Sequence, residues 1–186
     1  MSPVTQQLID DHAHMLRVLA CIDHCARRYF SDDREEQDLE MLQLGLEYMD
    51  RYADRFHHPL EEQIMDKVEL SSAMPANSLQ TLRQQHHDIT AMTGELRKLF
   101  DAVANDQIVP YEQLNARLDD YIKLQYDHLK YENENFLPII DENLSEPQLN
   151  QLEETIQQAD DPMFGEHRQD FEELYQYLLN YEQADR

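Results

Sequence analysis

The chain has 186 residues, 41% hydrophobic and 29% charged, which is enough apolar material for one domain with a real core. Its 15 Lys and Arg against 39 Asp and Glu leave a formal charge of −24, which repels phosphate backbones and anionic lipid and disfavours nucleic-acid partners. Three Gly and seven Pro exclude collagen-like and linker compositions, and no apolar run approaches the ~20 residues that cross a bilayer.

Leu, Glu, Gln, Ala, Met and Asp dominate, so helices are expected nearly everywhere. Ser2-Pro3 reads as an N-cap followed by proline at the first helical position. From there Leu8, His12, Met15, Leu19, Ile22 and Ala26 form one buried helical stripe. Ser31-Asp32-Asp33 breaks the pattern. A second stripe follows through Leu39, Leu42, Leu46, Met49, Ala53, His57, Leu60 and Ile64, with Pro59 inside it predicting a local bend.

Residues 69–78 read as a loop ending in an Asn/Ser cap. The third stripe is Leu79, Leu82, His86, Ile89, Thr93, Leu96 and Phe100, and residues 105–110 form the next loop. The fourth is Leu114, Leu118, Tyr121, Gln125, His128 and Glu132, weakening before Pro138. Helical patterns at 146–158 and about 166–182, separated by the turn-rich ADDPMFG, complete the chain. The expectation is all-α: an up-down-up-down four-helix bundle over residues 1–140, with a C-terminal helical extension at 141–186 packed on it.

Each bundle helix carries a histidine in its core stripe: His12, His57, His86 and His128. A buried imidazole needs partners for both nitrogens, so four in one core are costly unless something engages them. Two of them begin a His-x-x-x-Glu pattern, His57 with Glu61 and His128 with Glu132, and residues four apart share a helix face. Four imidazoles and two carboxylates thus converge on the bundle interior. That donor set suits a pair of iron ions, with manganese or zinc as alternatives, and no thiolate favours a structural zinc site. Six protein ligands leave open positions on two six-coordinate ions for water, hydroxide, O2, NO or peroxide.

The stretches DDHAHM, FHHPLEEQIM, LRQQHHDI and YDHLKYENENFLP resemble the hemerythrin-like (HHE cation-binding) domain family over roughly residues 8–140. The resemblance implies a four-helix bundle with a non-haem di-iron centre, and it favours His57–Glu61 over the competing register His58–Glu62. His86 is preferred to His87 because it lies on the stripe. His14 and His87 are expected to flank the site, His24 and His167 to lie on the surface, and Asp54 and Gln125 to support the ligands from behind. The family's oxygen carriers have a fifth histidine on the third helix, where Thr90 stands here, so reversible O2 carriage is not expected. Relatives that repair iron–sulfur centres carry an N-terminal Cys-containing segment, and this bundle begins near residue 3.

Met1 to Asp11 lacks the basic and apolar regions of a secretory signal. Cys21 and Cys25 read as buried apolar residues rather than a disulfide framework. A soluble cytoplasmic protein is the resulting expectation, with a small diatomic ligand or peroxide, and a redox or signalling protein, as partners. Two other functions compete: a redox enzyme on the same centre, reducing peroxide or NO, and a metal-free helical interaction module.

Overall fold

The computed structural model describes residues 1–71, 74–158 and 168–184. It is all-α, and the described residues include no strand and no helix long and apolar enough to cross a membrane. Helix α1 spans Pro3–Tyr29, with Ser2 accepting the Thr5 N–H at its start. The second rod is α2 (Glu36–Tyr48), a π-helical stretch (Met49–His57) and α3 (His58–Ser71). The third is α4 (Ala76–Ala104). The fourth is α5 (Tyr111–Tyr131), a second π-helical stretch (Glu132–Phe136) and α6 (Leu137–Asn143). Helix α1 packs on α2 and α5, and α4 on α2 and α5, which closes the four rods into a bundle.

The π-helical stretches refine the expected bend at Pro59. Proline lacks an N–H, and its ring collides with the carbonyl four residues earlier in an α-helix. For Pro59 and Pro138 that carbonyl belongs to Arg55 and Glu134, and both lie in π-helical turns. The His58 N–H bonds to Ala53 and the Leu137 N–H to Glu132, each five residues back. The wider turn relieves the collision and lets the rod run on. The fourth helix therefore continues past Pro138 into α6, which tolerates proline in its first turn. Helix α4 also starts before the expected Asn/Ser cap: Pro75 occupies the cap position, and Asn77 and Ser78 are helical.

The apolar stripes fill two separate clusters. One holds Met15, Leu19, Ile22, Ala53, Ile89, Leu96, Leu118 and Tyr121. The other holds Leu8, Leu60, Ile64, Leu82, Phe136 and Ile140. Three of the four stripes cross from one cluster to the other at their histidine. His12 sits between Leu8 and Met15, His57 between Ala53 and Leu60, and His86 between Leu82 and Ile89. A polar layer is thus sealed between two dry ones, each buried Leu or Ile contributing about 1.5–3 kcal/mol to holding them closed.

Helix α7 (Glu146–Gln158) packs on α1 and α3, and α8 (Arg168–Ala184) on α1 and α2. Tyr175, Leu178 and Leu179 of α8 are buried against the bundle, and Tyr181 donates to Asp38 at 2.8 Å. Cys21 and Cys25 are buried free thiols, Cys21 donating to the Leu178 carbonyl. The ADDPMFG segment lies outside the described residues.

Candidate metal centre

The polar layer brings together all six residues singled out from the sequence. His12, His57, Glu61, His86, His128 and Glu132 are each at most 2% exposed. The Nε2 atoms of His12 and His57 are 3.0 Å apart. Glu61 divides its oxygens between two imidazole sets: Oε1 lies 3.3 Å from His12 Nε2 and 3.4 Å from His57 Nε2, while Oε2 lies 3.4 Å from His86 Nε2. Glu132 places Oε1 3.2 Å from His86 Nε2, and Oε2 3.2 Å from His128 Nε2 and 3.6 Å from His12 Nε2.

The outer nitrogen of each ring faces an oxygen. His12 Nδ1–H donates to Asn133 Oδ1 at 2.9 Å, His57 Nδ1–H to Asp11 Oδ2 at 3.1 Å, and His128 Nδ1–H to Gln85 Oε1 at 3.2 Å. His86 Nδ1 faces Glu62 Oε1 at 3.7 Å. These contacts orient the rings and turn Nε2 toward the centre, as a metal-binding imidazole requires.

A seventh group is present. The sequence reading set His58 aside in favour of His57, but the structure turns both inward. His58 is 3% exposed. Its ring stacks on His86 with centroids 4.3 Å apart and meets His128 edge-on at 5.5 Å. Buried positions around it run 52–54, 57–58 and 60–61, a face wider than one α-helical stripe. The signal in the sequence was the doublet His57-His58 immediately before Pro59.

Asp54 lies 3.4 Å from His58 Nδ1, so it backs His58 rather than His57. The exposed Thr90 donates to the same Asp54 oxygen at 3.2 Å. The position that lacks the carriers' histidine thus supports His58 through Asp54. Gln125 donates to Tyr121 at 3.0 Å. His14 is half-buried against Tyr175, His24 is half-buried on α1, and His87 is exposed. His167 lies outside the described residues.

Burial opposes every charge in this layer, and the partners decide which survive. For Glu61, burial is outweighed by His57 and by the neighbouring rings of His12 and His86, which hold it well below the usual carboxylate range. His57 is raised well above its ordinary value because Glu61 and Asp11 overcome burial. His86 is pushed up to about 9 against burial by Glu132 and Glu61. Burial, His86 and His57 press His58 far down, and burial takes His128 down to about 4. Burial also lifts Asp54 to about 7.

The donor set fits a metal cation by its own chemistry. Both oxygens of Glu61, Oε2 of Glu132, Nε2 of His128 and both nitrogens of His58 are buried without a hydrogen-bond partner. Orphans of this kind are expensive unless a cation engages them. Three donor groups emerge, each with its ligand atoms within 4.8 Å of one another: His12, His57 and Glu61 on one side, Glu61, His86, His128 and Glu132 on the other, and His58 with the same His86 and His128.

A helical bundle whose sealed interior layer holds histidines and shared glutamates defines a candidate cation-binding protein. The sequence model of the hemerythrin HHE cation binding domain matches residues 4–140, and the chain belongs to that family. Neither a curated protein nor a solved structure matches it.

Proposed function

We propose that this chain is a non-haem di-iron protein that binds, senses or detoxifies a small ligand such as O2, NO or peroxide. The observation that carries the reading is Glu61, which presents one oxygen to His12 and His57 and the other to His86. A carboxylate split this way serves two ions, not one. His12, His57, His86, His128, Glu61 and Glu132 would be the ligands, and Glu132 the second shared carboxylate.

Imidazole with carboxylate suits iron, and a bound iron pair would supply reversible electron and small-ligand chemistry. The chain's own part is to hold the donors, fix the ring tautomers and exclude bulk water with the two apolar clusters. The layer is small and sealed, which favours a diatomic or peroxide-sized ligand over an organic substrate.

The test is metal analysis of protein purified without chelator, beside a variant carrying both His57→Ala and His128→Ala. About two irons per chain are expected in the wild type and under half of one in the variant. Visible spectra of the reduced protein should change on adding O2 or NO. Unchanged metal content in the double variant overturns the ligand assignment. A wild type that no divalent ion loads overturns the di-iron reading. Sustained peroxide or NO consumption with a reductant would place an enzyme on the same centre.

A further inference from the structure

We infer that His58 is a fifth imidazole ligand of the centre, serving the position held by His86 and His128. The inference rests on the di-iron reading and deepens it. His58, His86 and His128 each present one nitrogen within 4.8 Å of the others, a donor group of their own. His58 is 3% exposed, and neither of its nitrogens has a hydrogen-bond partner.

Its environment resembles that of three other rings. Asp54 stands behind His58 Nδ1 as Asp11 stands behind His57, Asn133 behind His12 and Gln85 behind His128. A carboxylate behind an imidazole fixes the tautomer and raises the basicity of the other nitrogen. A histidine buried only as core filler would not need that partner, and its Nε2 would find one of its own.

The count of donors then separates the two positions. One has His12, His57 and the near oxygen of Glu61, with Glu132 Oε2 at the longer 3.6 Å reach from His12. The other has His86 and His128 with both glutamates, and His58 groups with the same two imidazoles. With His58 the second position has three imidazoles against two at the first.

Co2+ titration of the metal-free protein tests this, because Co2+ absorption reports both stoichiometry and coordination. The wild type should bind two Co2+ per chain. His58→Ala should hold the first and weaken the second at least tenfold, and His58→Glu, which restores a donor, should recover it.

Two Co2+ bound by His58→Ala with wild-type affinity and absorption would overturn the inference while leaving the di-iron reading intact. Equal weakening of both ions would overturn the assignment of His58 to one position. A wild type that binds no Co2+ would instead overturn the reading on which the inference rests. Should His58→Ala unfold, His58→Gln, which keeps the volume, takes its place in the same titration.

Discussion

Asp11 Oδ2 lies 3.1 Å from Nδ1 of His57, and its other oxygen accepts the Tyr52 hydroxyl at 2.6 Å. One helix thus fixes the ring of another through a carboxylate that is itself held. Asp11→Asn keeps the shape and removes the charge that favours the inward-facing lone pair. Metal affinity should fall about 10- to 100-fold, the usual cost of losing such a partner. Competition titration against a chelator of known affinity measures it. Unchanged affinity would reduce Asp11 to a packing partner of Tyr52.

The four stripes were legible because helical period dominates a sequence with few Gly and Pro. Leu8, Leu19, Leu82, Ile89, Leu118 and Tyr121 are all buried where the 3-4 spacing puts them. The histidines were legible for the same reason, as polar residues in apolar stripes. His58 was not, because a one-stripe register admits only one of two consecutive residues. The π-helical stretch before Pro59 broadens the buried face, and a helical period of 3.6 cannot anticipate it. Asp54 was picked out for its spacing from His57, yet it faces His58.

Metal should stabilise the fold measurably. Ligand present at 100 times its Kd adds about 2.7 kcal/mol per site, and the unpartnered donors of Glu61, Glu132 and His128 are satisfied at the same time. The melting temperature should rise on loading and fall back with chelator. The variant carrying His57→Ala and His128→Ala should melt at one temperature regardless of added metal. A wild type whose melting ignores both metal and chelator would contradict the site.

Metal and protons should compete. In the metal-free layer His57 is held protonated well above its ordinary value, and His86 up to about 9. Both rings must shed a proton to bind a cation. Up to pH 9, apparent affinity should therefore climb as pH rises, with up to about two protons released per chain from these rings. Calorimetry in buffers of different ionisation enthalpy counts the protons. Zero release at pH 7 would sink the expectation.

Asp141 of α6 ties down the start of α1. It accepts the Ser2 N–H at 3.0 Å and the Thr5 hydroxyl at 2.8 Å. Burial opposes its charge, but these bonds win and hold its carboxyl below the ordinary range. A carboxyl lowered in the folded state adds stability that is present above its unfolded pKa and disappears as pH falls through the folded one. Asp141→Asn should thus lower stability at pH 7 by under about 1 kcal/mol, a figure already reduced for solvent screening. The gap from wild type should close in acid. Denaturation curves at pH 7 and pH 3 decide it, and a gap that widens in acid would contradict the assignment.

At Gly45, α2 lies hard against Ile22 of α1. A Cβ there would lie 2.6 Å from Ile22 Cγ1 and 3.1 Å from its Cδ1, whereas Gly94 in α4 has nothing within 4 Å. Replacing a helical glycine by alanine ordinarily stabilises by about 0.5–1 kcal/mol, since the unfolded chain loses freedom. Gly94→Ala should show that gain. Gly45→Ala should show the opposite, a loss of about 1–3 kcal/mol, because the new methyl forces Ile22 off its position in a filled core. Removing the obstacle should return part of the loss. Ile22→Ala alone leaves a cavity and costs about 2–5 kcal/mol, but combined with Gly45→Ala it should cost less than the sum by at least ~0.5 kcal/mol, the coupling expected of touching residues. Urea denaturation of the four variants closes the cycle. Strict additivity, or a stabilising Gly45→Ala, would mean that the two helices do not meet at this point.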